Sequence, residues 1–198
     1  MVPFDERVFR AVYGGANAGG VVYGLMVALT VLGSGWSMLL FLPLLARPAT
    51  RRFGATLLVT LVVTSLVVFL VKLGVQRPRP SVCLAGVNAL CFRGPTDPSF
   101  PSGHAAGAFA FAAFVGTWLT RQSFHVSRKA AGFAVLGALA VGVALSRIYL
   151  GVHFPSDVTV GALLGATIGA VAARLAHPKA GLSQGNPLVL ASGQGPDS

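Results

Sequence analysis

Three short polar clusters, each at the end of a long apolar segment, carry cations, serine hydroxyls, two histidines and a carboxylate: Lys72 with Arg79-Pro80, Pro101-Ser102-Gly103-His104, and Ser146-Arg147 with His153 and Asp157. These side chains match the needs of phosphoryl transfer. Cations offset the charge on the phosphoryl oxygens, one histidine attacks phosphorus, and a second protonates the leaving oxygen.

Each cluster has its own local logic. Lys72 follows the run Val67-Val68-Phe69-Leu70-Val71, and a lysine inside a membrane segment costs about 3 kcal/mol on insertion scales. It either serves a ligand or snorkels to the headgroups. Arg79 lies seven residues on, about two helical turns and so on the same face if the helix continues. Pro78 and Pro80 favour a helix end here. Arg77 either joins these two cations or faces headgroup phosphates, and the second is the preferred reading. Ser102 is a natural N-cap for the small-residue helix that begins at Ala105. The N–H groups of such a helix start bind phosphate, and Gly103 lets the backbone approach closely. The plainer reading is an ordinary cap beside a hydrogen-bonded His104. Asp157 is four residues beyond His153, a spacing that places both on one helical face. Its carboxylate then takes the Nδ1 proton and leaves Nε2 free to attack. Pro155 makes a turn leading into a helix an equal alternative. Asp97, beside Pro98, is read as a turn residue.

The elements that hold these residues are apolar helices. Of 198 residues, 54% are hydrophobic and 10% are charged, against roughly 25% charged in a soluble domain. Mean hydropathy is +0.74. The chain reads as an all-α, polytopic membrane helix bundle: one membrane domain over residues 1–179 and a disordered Gly/Ser/Gln/Pro-rich tail over 180–198. Hydropathy marks about five spans, at residues 19–46, 53–75, 105–120, 130–150 and 158–176. The first contains Leu32-Gly33-Ser34-Gly35-Trp36 and is either one span with an interfacial beginning, one broken at its glycines, or two. Before it, Phe4, Val8, Phe9 and Val12 form one face of an amphipathic helix over residues 4–14, read as lying in the interface.

Arg47, Arg51 and Arg52, then Arg121, Arg128 and Lys129, then Arg174 and Lys179 follow alternate crossings, which places them in the cytoplasm. All three polar clusters then fall on the outer face of the plasma (inner) membrane. The net charge of +10 is accounted for by these loops and clusters, and no basic stretch interleaved with aromatics points to nucleic acid. Cys83 and Cys91 share the outer loop. They match no common zinc spacing and read as either a disulfide or two free thiols. Abundant Gly and Ala in the last three spans permit close packing within one chain or between chains, so the oligomeric state is not readable.

The stretches KLGVQRPRP, PSGH and SRIYLGVHFPSD resemble the three-part signature of the type-2 phosphatidic acid phosphatase superfamily: Lys-x6-Arg-Pro, Pro-Ser-Gly-His and Ser-Arg-x5-His-x3-Asp. The resemblance spans about residues 19–176 and departs at no signature position. It implies a six-helix-type core and a metal-free, cofactor-free lipid phosphatase. Lys72, Arg79, Ser102, Gly103 and Arg147 would grip phosphate. His153 would become a phosphohistidine oriented by Asp157, and His104 would act as acid and then base. The substrate would be undecaprenyl pyrophosphate, phosphatidylglycerol phosphate or phosphatidic acid, the first ranked ahead. A lipid phosphotransferase using the same residues and a non-enzymatic lipid transporter are the rival readings.

Overall fold

The computed structural model describes residues 3–15, 18–90 and 94–176. The described residues are helical, with no strand. The helices are α1 (Pro3–Val12), α2 (Gly20–Leu32), α3 (Pro48–Val75), the short α4 (Pro80–Cys83), α5 (Gly103–Thr120), α6 (Val126–Tyr149) and α7 (Pro155–Ala176), with a 3-10 helix at Gly35–Leu45 between α2 and α3. Cys91 and residues 177–198 lie outside the described residues, and with them the disulfide and tail expectations.

The expected first span is broken at Gly33-Ser34-Gly35: α2 and the 3-10 helix meet at 53°. Among the described residues three helices, α3 with its continuation to Cys83, α6 and α7, are long and apolar enough to cross a membrane, or four if the bent pair is one span. The remaining expected span, at residues 105–120, corresponds to α5, which has 18 residues and opens on Gly103-His104. It packs against α3, α6 and α7.

The tightest contact in the bundle is between α5 and α7. Gly161, Gly165 and Gly169 form an i, i+4 stripe on α7. A Cβ at any of them would stand closer than 3.0 Å to the carbonyl oxygen of Ser102, Ala106 or Ala110 respectively. The two backbones therefore touch, as small-residue stripes permit, and the N-terminal ends of α5 and α7 are locked side by side. Ser102 N donates to the Asp157 carbonyl at 3.0 Å, which closes that end. The C-terminal ends of α3 and α6 arrive at the same end of the bundle.

α1 differs from a helix lying free on a surface. Phe4 is exposed, but Phe9 and Asp5 are buried. Phe9 stacks on Tyr13 at 5.4 Å and tilts against Phe154 at 5.6 Å.

Replacing Gly165 with alanine puts a methyl group into the backbone of α5, and overpacking of this kind costs about 1–3 kcal/mol. Gly137 has open space at its Cβ position, so alanine there gains only helix propensity. The apparent unfolding midpoint in detergent is expected to fall for Gly165→Ala and to hold or rise slightly for Gly137→Ala. Equal midpoints would contradict the close-packed seam.

Candidate active site

His153 sits in the sharp turn between α6 and α7. The Arg147 carbonyl accepts from the backbone N–H groups of Val152 and His153 at 3.2 and 3.3 Å. Gly151 turns the chain with φ +77°, where a side chain would also strike the Asn88 carbonyl. His153 therefore precedes the helix that carries Asp157, the turn-into-helix alternative. Its ring is buried, 2% exposed. Arg79 Nη1 stands 3.1 Å from Nε2. A guanidinium only donates, so Nε2 accepts and the ring proton rests on Nδ1. That nitrogen faces Asp157 Oδ2 at 3.6 Å and Ser99 Oγ at 3.4 Å. Burial, and then the charges of Arg79 and Arg147, push the His153 pKa down to about 4 against the opposing pull of Asp157. The ring is neutral at physiological pH.

Asp157 is fully buried. Its Oδ2 accepts from Ser99 Oγ at 2.5 Å and from Phe154 N at 2.9 Å, and its Oδ1 accepts from Arg77 Nη1 at 2.6 Å. The bond to Phe154 N is the reach-back half of a capping box at the start of α7. A carboxylate is favoured there by the helix dipole as well.

Lys72 and Arg79 meet through Asp97. Lys72 Nζ is 2.8 Å from Asp97 Oδ2, and Arg79 Nη2 is 2.8 Å from Asp97 Oδ1. Arg79 Nε also donates to the Asp97 carbonyl at 2.8 Å, and Lys72 to the Pro98 carbonyl. α3 ends at Val75 with Gln76 left-handed at φ 50°, so the two cations converge across a break in the helix and not along one helix face. Burial works to raise the Asp97 pKa, but the hydrogen bond from Lys72 and the charge of Arg79 outweigh it and hold the carboxyl below its usual range. Asp97 is thus no simple turn residue: it is the counter-charge of the cation pair.

Ser102 caps α5, accepting from Ala105 N at 3.4 Å. Gly103 and His104 line a cavity of about 520 Å³. A Cβ on Gly103 would meet only Val68 at 3.6 Å, so packing within the protein does not demand glycine there. His104 is within electrostatic reach of Arg147, His153, Arg79 and Asp97. Buried Arg147 donates to Thr30 on α2. Ser146, also buried, donates to the Val143 carbonyl at 2.7 Å, and its Oγ lies 3.3 Å from Thr30 Oγ1.

The structure therefore brings Lys72, Arg79, Ser102, Gly103, His104, Arg147, His153 and Asp157 to one end of the bundle. Sequence reasoning missed Ser99, Asp97 and Thr30, and of its two readings of Arg77 it preferred the one the structure does not bear out. Arg77 does not face headgroups: it pairs with Asp157 and with Asp5 at 2.7 Å, and its guanidinium carbon lies 4.3 Å over the Phe154 ring. The one signal available was the shortage of acids. With five Asp and Glu in the chain, each acid near a cluster of buried cations is a candidate partner.

The model of the PAP2 superfamily matches residues 53–180. Decaprenylphosphoryl-5-phosphoribose phosphatase of Mycobacterium tuberculosis is 37% identical over 137 residues, covering 69% of each chain. Undecaprenyl-diphosphatase of Sulfolobus acidocaldarius is 30% identical over 176 residues, covering 84% of this chain and 76% of the relative. Among solved structures, the PAP2-type phosphatidylglycerolphosphate phosphatase of Bacillus subtilis superposes with a TM-score of 0.70 at 25% identity, over 85% of this chain and 82% of that one. LpxE of Aquifex aeolicus superposes with a TM-score of 0.68 at 28% identity, over 85% and 94%. With all three parts of its signature gathered at one end of the bundle, the chain belongs to the PAP2 superfamily.

Proposed function

We propose that the protein hydrolyses a phosphate or pyrophosphate carried on a polyprenyl lipid, through a phosphohistidine on His153, at the extracytoplasmic face of the plasma membrane. The observation that carries this reading is the position of His104. It stands between the cation and histidine cluster and a cavity whose walls are largely apolar, with Leu61, Val68, Phe111, Leu139 and Val143 among them. A headgroup held by the cations would place its leaving oxygen near His104 and its chain among these side chains. Relatives named for decaprenyl- and undecaprenyl-linked substrates support a polyprenyl tail over a diacylglycerol one. The outer-face assignment rests on the arginines and lysines of the opposite loops.

In the first step the phosphate exchanges places with the Asp97 carboxylate on Lys72 and Arg79, joined by Arg147 and by the N–H groups at the start of α5. Arg79 releases Nε2 of His153 to bond a phosphoryl oxygen. The Nε2 lone pair attacks phosphorus while the bond to the leaving oxygen breaks. Burial, and then the charges of Arg147, His153 and Arg79, hold the His104 pKa down to about 3 in the resting site, so His104 takes up a proton with the incoming phosphate and gives it to that oxygen. Asp157 accepts from Nδ1–H and stabilises the positive ring. In the second step His104 takes a proton from water, the water oxygen attacks phosphorus, and the P–N bond breaks to release inorganic phosphate.

Phosphate release is to be measured in detergent, with chelator present, on undecaprenyl pyrophosphate, decaprenylphosphoryl-5-phosphoribose, phosphatidylglycerol phosphate and phosphatidic acid. The polyprenyl substrates are expected to react fastest. Preference for a diacylglycerol lipid would overturn the tail assignment, and a phosphorylated acceptor lipid in place of free phosphate would indicate transfer. His153→Ala should lower the rate more than about a thousandfold. His104→Ala should lower it about 10²–10⁴-fold. Imidazole nitrogen NMR is expected to show His153 neutral and protonated on Nδ1 down to about pH 5, charging only near its depressed pKa of about 4; titration near pH 6.5 would contradict this geometry. Asp97→Asn removes the carboxylate that competes with phosphate, so inorganic phosphate should inhibit this variant more strongly than wild type.

A further inference from the structure

Asp5 is buried, 4% exposed, although it lies on the N-terminal helix, far in sequence from the three clusters. Its Oδ2 accepts from Arg77 Nη2 at 2.7 Å and from Ser156 Oγ at 2.6 Å, and its Oδ1 accepts from Ser156 N at 2.9 Å. Arg77 Nη1 donates in turn to Ser156 Oγ at 2.7 Å and to Asp157 Oδ1 at 2.6 Å. The Arg77 carbonyl accepts from Ser99 N at 2.7 Å, and Ser99 bonds the other oxygen of Asp157. The exposed N–H of Ser156 is one of the orphan donors at the start of α7, and α1 supplies its acceptor.

We infer that Asp5 is a positioning residue of the active site, acting through Arg77 and Ser156 on Asp157, so that α1 belongs to the catalytic apparatus. This rests on the hydrolytic reading given above. Two physical effects are combined. Asp5 ties the first turn of α7 to α1, which fixes where the Asp157 carboxylate points. Asp5 also shares the charge of Arg77. With Asp5 absent, the guanidinium turns wholly to Asp157 and draws its negative charge away from His153 Nδ1–H. The positive ring formed when Nε2 takes the phosphoryl group is then less well stabilised. Arg77 over the Phe154 ring and Phe154 against Phe9 hold the same three elements together.

Asp5→Asn keeps the shape and removes the charge. Outer-layer partners of this kind typically alter activity about 10–100-fold, so kcat is expected to fall by that factor with KM within about twofold. Glu6→Gln, on the same helix and paired with exposed Arg10, should leave both unchanged. Without any substrate, the His153 Nδ1–H proton resonance should move upfield in Asp5→Asn and stay in place in Glu6→Gln. That reading survives even if the lipid substrate is wrongly assigned. A folded Asp5→Asn protein with wild-type kcat and an unmoved His153 resonance would overturn the proposal, as would a change confined to KM. If Asp5→Asn does not fold, Ser156→Ala decides: it removes the bridging hydroxyl and leaves both charges. A reduced kcat with a shifted His153 resonance supports the relay, and wild-type values for both refute it.

Discussion

A carboxylate with no access to water is the constraint around which this end of the bundle is organised. Desolvating such a group costs several kcal/mol unless ionic partners and hydrogen bonds replace its hydration. Asp157 is fully buried, and each of its replacements comes from a different part of the chain: Arg77 after α3, Ser99 before α5, and the Phe154 N–H at the start of α7. Meeting these needs together requires the ends of α3, α5 and α7 to meet at one point. The glycine stripe of α7 makes this possible by letting the α5 backbone come into contact. A packing feature in the middle of the bundle thus sets the geometry of chemistry at its end.

The opposite imbalance is found a few ångströms away. Lys72 and Arg79 are both buried, and two cations gathered at low dielectric repel each other unless an anion lies between them. Asp97 is that anion here. Its side chain is 53% exposed, in contrast to Asp157, which is sealed. The difference in burial separates their roles. The sealed carboxylate cannot leave its arginine without losing all solvation, so it is a fixed part of the site. The half-exposed one is free to turn to water, as the proposed exchange with a phosphate requires.

Helix positions were largely legible in the sequence, because apolar runs and cations in alternate loops are strong signals. The break at Gly33-Ser34-Gly35 was legible as one of three alternatives. Lys72, Arg79, Ser102, His104, Arg147, His153 and Asp157 were legible as one site because their clusters fall at the ends of alternating crossings. Pro155 warned that His153 and Asp157 need not share a helix, and in the structure a turn separates them. Arg77, Asp97, Ser99 and Asp5 were not legible as partners. Each lies in a segment whose local pattern has a sufficient explanation of its own: a lysine- and arginine-rich helix end, an Asp-Pro turn, a serine in a proline-rich loop, an amphipathic helix. What gives them another role is the buried charge they meet across the fold, and no spacing rule reports on that.

The tautomer of His153 shows how these charge balances become function. Arg79 can only donate, so it holds the Nε2 lone pair free of a proton. Asp157 and Ser99, on the other edge of the ring, leave Nδ1 as the protonated nitrogen. Burial among cations keeps the ring neutral, which an attacking nitrogen requires. In the proposed mechanism the same cations would penalise the positive ring formed on attack, were it not that the entering phosphate would add negative charge on the Nε2 side while Asp157 supplies it on the Nδ1 side. On that proposal the charged ring would be favoured only with phosphate present, and the resting nucleophile would stay unprotonated.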